Sequence, residues 1–125
     1  MESDEAAVAR VRRDWAFARD HGEWEAMRAC FHPEATVSVS WYKGPAATFF
    51  ERTIALAAAR GPEERSKHFI GNQRSWLKRD RALLETDALV LGRDFIDGHL
   101  FDLTIYLRFF DRIERRQGAW RILIM

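Results

Sequence analysis

The chain has 125 residues, enough for one domain (residues 1–125) with a real core: 47% are hydrophobic, among them nine Phe and five Trp. The charge is nearly balanced, 20 basic against 19 acidic side chains for a net +1, which gives no electrostatic case for a nucleic-acid partner. A single Cys excludes an intrachain disulfide and a Cys-based zinc site; no run approaches the roughly 18 apolar residues of a membrane span, and the acidic start Glu2-Ser3-Asp4-Glu5 is unlike a secretory signal, so a cytoplasmic protein with no membrane partner is expected.

The spacing of Val8, Val11, Trp15 and Ala18 predicts a first helix over Asp4–Arg19, with Ser3 as its N-cap and Asp20-His21-Gly22 as its stop. The Arg10-Val11-Arg12-Arg13 run reads as a solvated face. A second helix is expected over Glu23–Phe31, ended by His32-Pro33-Glu34, with Cys30 as a small buried hydrophobe. Thr36–Tyr42 alternates with period two and predicts a strand. Gly44-Pro45 turns the chain into a third helix, Ala46–Arg60, which Gly61-Pro62 stops.

The remainder reads as strand: His68–Leu77, Ala82–Phe95, His99–Ile113 and Trp120–Met125. Turns are expected near Arg79-Asp80-Arg81, at Asp97-Gly98 and at Gln117-Gly118. Helices first and an antiparallel meander second make the fold class α+β. A long twisted sheet curled over helices encloses a hollow, and apolar hollows with few polar groups are where small molecules bind.

Taken alone, Asp20 reads as a turn residue and His68 as a hydrogen-bonded core histidine. Three stretches change that reading: Arg19-Asp20-His21-Gly22-Glu23-Trp24 with Cys30-Phe31-His32-Pro33-Glu34-Ala35, then Trp41-Tyr42-Lys43-Gly44-Pro45, then Lys67-His68-Phe69-Ile70-Gly71-Asn72. Together with Gly118-Ala119-Trp120-Arg121-Ile122 near the end, they resemble the SnoaL-like group of the nuclear-transport-factor-2-like superfamily. Within it the pattern is similar to scytalone dehydratase and hexachlorocyclohexane dehydrochlorinase. The resemblance implies a cone-shaped α+β barrel. It implies a cofactor-independent lyase or isomerase in which His68 abstracts a proton and Asp20 orients the ring. It implies a small, mainly apolar substrate such as a polyketide-like or steroid-like ketone.

If His68 points into the pocket, strict alternation sends Ile70, Asn72 and Arg74 with it. Arg93, Thr104 and Tyr106 are placed on the same side, so Asn72, Arg93, Thr104 and Tyr106 are the expected substrate-binding residues. The opposite phase of the long strand, Phe101, Leu103, Ile105, Leu107 and Phe109, is then an outer face, and a homodimer through it is expected. The two faces exchange if the register is off by one. His21, His32 and His99 read as turn or surface residues, and four scattered His argue against a metal site. Three rival readings stand beside the lyase. One is a non-catalytic small-molecule binding module, and one is an accessory subunit of the same fold. The third is an epoxide hydrolase built on Asp87, Arg93 and Asp102.

Overall fold

The computed structural model describes residues 1–125, as three helices packed on one six-stranded sheet, the expected α+β class. Helix α1 (Asp4–His21) starts where Ser3 accepts the Ala6 N–H and ends at Gly22, which takes the left-handed conformation and returns its N–H to Ala18 and Arg19. Helix α2 (Trp24–Ala29) is shorter than its pattern suggests. The chain is already extended at Phe31, and strand β1 (Phe31–Val39) absorbs His32-Pro33. Pro33 is tolerated there because the pairing of β1 is irregular between Phe31 and Thr36, so no ladder bond needs its missing N–H. His32 is therefore not a surface residue: it is buried, with Nε2 bonded to the Glu114 carbonyl at 2.7 Å.

Strand β2 (Tyr42–Pro45) folds back on β1 and leads directly into helix α3 (Ala46–Ala58). The meander follows as β3 (Arg65–Lys78), β4 (Arg81–Ile96), β5 (His99–Arg116) and β6 (Ala119–Ile124). Its turns match the sequence signals. Asp97-Gly98 and Gln117-Gly118 each have two successive positive φ angles, the geometry of the tightest hairpin connections. The sheet order is β2-β1-β6-β5-β4-β3, with β1 parallel to β6 and every other pair antiparallel. Strand β3 is thus an open edge.

One cluster of 22 buried hydrophobic residues joins helices and sheet. The inner, helix-facing side of the sheet carries Leu84, Ala88, Phe109, Ile113 and Ile122. A bulge interrupts β3: Ile70 faces Ala88 and Gln73 faces Thr86, so Gly71 and Asn72 together oppose Asp87 alone. The backbones approach so closely there that a Cβ on Gly71 would lie 3.0 Å from the Asp87 carbonyl oxygen.

The Arg10–Arg13 run is only partly a solvated face. Arg12 is fully buried, and both of its side-chain arms reach Asp111 on β5, Nε to Oδ2 at 3.0 Å and Nη2 to Oδ1. Its guanidinium lies 3.9 Å from the centre of the Phe109 ring and 4.6 Å from that of Trp15. Burial pushes the Asp111 carboxyl up from its ordinary value, and the Arg12 charge pulls it back only in part. Removing one partner of such a pair strands the other as an uncompensated charge. Arg12→Met should cost about 3–5 kcal/mol in urea denaturation, and adding Asp111→Leu should recover most of it; equal stability of the Arg12→Met variant and the wild type contradicts this account.

Cys30 is buried, and its Sγ lies 3.4 Å from the Ala26 carbonyl. Burial pushes the thiol up to about 11, so it carries little thiolate at pH 8. Labelling by a disulfide reagent at that pH should be orders of magnitude slower in the native protein than in guanidinium; comparable rates contradict this.

Candidate functional site

Helix α1 and the edge strand β3 bring together two residues 48 apart in sequence. Asp20 lies one turn beyond Ala16, on the flank of α1 that overlies β3. Its Oδ1 meets His68 Nδ1 at 2.7 Å, and its Oδ2 accepts the His68 backbone N–H at 2.8 Å. That N–H points away from β4, so it is an open edge donor that the carboxylate closes. Both side chains are only 8% exposed. A carboxylate accepts and cannot donate, so in the neutral ring Nδ1 carries the proton and Nε2 keeps its lone pair. The Trp15 indole meets the imidazole nearly at right angles with 5.1 Å between centres, which limits how the ring can turn.

Two spaces adjoin this pair. A cleft of about 400 Å³ opens along α1 and β3, with Asp20 and His68 in its wall beside Phe17, Phe69, Arg13 and Lys67. On the inner side, His68 faces Val90, and Val90 faces Ile105. Val90 and Leu103 stay half-buried and Ile105 is 49% exposed although they point to the helix side, so an apolar stretch of the inner face beside the imidazole is left uncovered. A larger hollow of about 660 Å³ between α1, α2 and β6 touches neither Asp20 nor His68.

The other expected site residues lie elsewhere. The bulge inserts one residue, so Gln73 and Ser75, not Asn72 and Arg74, continue the face of His68 and Ile70. Asn72 is exposed, while Gln73 donates to the Ala9 carbonyl at 3.0 Å and to Thr86 Oγ1 at 3.2 Å and ties α1 to the sheet. Thr104 pairs with Leu91, Tyr106 with Leu89, and Arg93 with Asp102; all lie on the outer face, out of phase with His68. Tyr106 is 84% exposed, and Arg93 spends its guanidinium on Asp102 in water, bonded through Nε at 2.6 Å. The Asp87, Arg93 and Asp102 set is therefore an outer-surface group, on the opposite side of the sheet from His68.

The phase of β5 is accordingly the reverse of the expected one. Phe101, Leu103, Ile105, Leu107 and Phe109 share the side of His68, and Phe109 is buried against Trp15 with 5.5 Å between ring centres. They do not form an outer face. The signal was present: five large apolar residues in one phase are what a helix layer requires. Gln73, Arg12 and Asp111 were not marked as important by local sequence at all.

The SnoaL-like domain family matches residues 2–125. No curated protein matches the chain in sequence. Three solved structures show the same fold at low identity. A putative scytalone dehydratase from Novosphingobium aromaticivorans is 17% identical with a TM-score of 0.77, over 94% of this chain and 78% of that one. A hexachlorocyclohexane dehydrochlorinase (LinA, type 2) is 20% identical with a TM-score of 0.71, over 95% and 80%. A protein of unknown function from Mycobacterium tuberculosis is 15% identical with a TM-score of 0.75; the match covers 94% of this chain and 66% of that chain's length. At these identities the likeness establishes the fold. No helix is long and apolar enough to cross a membrane.

The geometry makes one spectroscopic prediction. Long-range ¹⁵N–¹H correlation of the neutral His68 ring should give the Nδ1–H pattern, and Asp20→Asn should disturb it; an Nε2–H pattern in the wild type contradicts the assignment.

Proposed function

Because the chain belongs to the SnoaL-like family, we propose that it is a cofactor-independent lyase or isomerase that moves a proton through His68. The observation that carries this reading is the double engagement of Asp20: one oxygen holds Nδ1 and the other holds the backbone of the same residue. The arrangement leaves Nε2 as the free base. As Nε2 takes a proton from a carbon beside a carbonyl or a leaving group, the ring becomes a cation, and the Asp20 carboxylate stabilises that charge at hydrogen-bond distance. Two side chains that are 8% exposed do this with little water to screen them, so the attraction exceeds that of a surface pair.

The proton then leaves Nε2 for the departing group, completing an elimination, or for another carbon, completing an isomerisation. Trp15 keeps the ring in place for both halves. The cleft at His68, walled by Phe17 and Phe69, and the uncovered apolar face at Val90 and Ile105 suit a substrate whose reacting carbon sits on a hydrophobic body, in the manner of a cyclic ketone. Asn72, Arg93, Thr104 and Tyr106 have no part in it.

The step is testable without knowing the natural substrate. Incubated in D₂O with a panel of cyclic aryl ketones, the protein should exchange their acidic C–H protons, followed by NMR. His68→Asn should slow exchange by about 10²–10⁴-fold, Asp20→Asn by a smaller factor, and Tyr106→Phe not at all. Folding is checked by circular dichroism in each case. No exchange across the panel, or unchanged exchange in His68→Asn, replaces the catalytic reading with that of a binding module.

A further inference from the structure

The cleft between α1 and β3 is walled on the helix side by Arg13, Phe17 and Asp20, at steps of four and three, and on the strand side by Lys67, His68 and Phe69. Helix and strand run in opposite senses: Arg13 donates to Gln73 Oε1 at 2.8 Å, and seven residues further along α1 Asp20 meets His68. Seven residues of helix span about 10 Å. Arg13 therefore stands at one end of the cleft and the His68 ring at the other, with Lys67 next to His68 in the chain. Phe17 lies between the two ends and is 66% exposed, and Phe69 is 50% exposed. Two phenyl rings left wet on facing walls are apolar area that a hydrophobic ligand covers.

The charge of this wall is not balanced. Its only acid is Asp20, whose two oxygens are engaged by the ring and the backbone of His68. His21, also in the wall, donates Nδ1–H to the Phe17 carbonyl. Arg13 and Lys67 bring two cations, and neither forms a salt bridge. The acids Glu2 and Asp14 are both bonded to Arg10 instead. Arg13 is nevertheless held in place. The Gln73 amide that receives it is itself fixed, its nitrogen donating to the Ala9 carbonyl and to Thr86 Oγ1. That contact uses Nη1 against a neutral oxygen, so the charge is uncompensated and Nε and Nη2 keep their donors. A cation fixed by a neutral group at the end of an apolar cleft is arranged for an anion that arrives from outside.

Resting on the proton-transfer reading of His68, we infer that the substrate is an anion: a hydrophobic ketone with a carboxylate remote from its reacting carbon. The carboxylate sits on Arg13, the body lies against Phe17 and Phe69, and the reacting carbon meets His68 Nε2. A guanidinium matches a carboxylate in charge and in forked geometry. The separation of the two ends selects a carboxylate placed across a ring system from the carbonyl over one attached beside it. Lys67 serves the other end. Proton abstraction builds negative charge on the carbonyl oxygen, and Arg93, Thr104 and Tyr106 lie on the outer face, away from it. Lys67 is the cation at the His68 end of the cleft and receives that charge.

The probes are the 6-carboxylate of 1-tetralone and the matching 6-carboxamide, nearly equal in shape and differing in charge. Each carries exchangeable C–H protons beside the ketone, across the ring system from the acid or amide. Titrated by calorimetry at low ionic strength, the wild type should bind the acid at least about tenfold more tightly than the amide, and added salt should erode the difference. Arg13→Gln should remove most of the preference, Arg13→Lys should keep part of it, and Lys67→Gln should remove part of it. Arg93→Gln, the same loss of charge on the outer face, should leave it intact. Circular dichroism and thermal melts show which variants are folded, and Lys67→Gln serves as the readout if Arg13→Gln is not. Equal binding of acid and amide, no binding of either, a preference that survives the double substitution, or an equal loss in Arg93→Gln overturns the inference. Exchange of the same probes in D₂O, each relative to its rate in buffer, is a separate readout, and His68→Asn should lose it while binding the acid as the wild type does. A preference for the acid without exchange shows that the proton-transfer reading has failed. Exchange of both probes alike without a binding preference shows that the anion inference has failed.

Discussion

The seating of α1 on the sheet depends on the bidentate pair between Arg12 and Asp111. Two opposite charges with no solvent exposure have one acceptable arrangement, arm to arm, and any rotation or slide of the helix breaks it. Trp15 and Phe109 close over the pair and keep water out. From Arg12 the helix runs eight residues, about 12 Å, to Asp20. A rod pinned at one point can still pivot, and the Asp20 to His68 contact at 2.7 Å needs its direction fixed as well. Gln73 adds a second pin, bonded to the Ala9 carbonyl on α1 and to Thr86 on β4.

What the sequence made legible is what local chemistry decides. Ser3, Gly22 and Asp97-Gly98 act within a few residues of themselves, so helix ends and hairpins could be read directly. The meander followed from the hairpins. The pairing of Asp20 with His68 was legible only through family likeness, since nothing near either residue announces the other. Arg12 was misread because its fate is decided by an aspartate 99 residues away. Within a run of arginines it looks like any solvated cation.

The face assignments failed for a related reason. Alternation says which residues share a side and not which side is inward. On β5 both phases carry large apolar residues, Leu107 and Phe109 in one, Tyr106 and Phe110 in the other. Choosing polar candidates for the pocket inverted the strand. The bulge at Gly71-Asn72 then shifted β3 by one residue, and no alternation pattern reports a bulge before the partner strand is known. The corrected phase leaves Arg93, Thr104 and Tyr106 on the outer face and the Asp20–His68 pair on the inner one.

The carboxylate of Asp20 also does something unrelated to chemistry. Strand β3 has a neighbour on one side only, and its unused amides are a template on which another chain could add a strand. One of those amides belongs to His68, and Asp20 occupies it. The residue that holds the imidazole in place is thus also a plug against unwanted strand pairing. Loss of this acid would unseat the His68 ring and uncover an adhesive border at once, so the demand for an acceptor at this position stands whatever use is made of the imidazole.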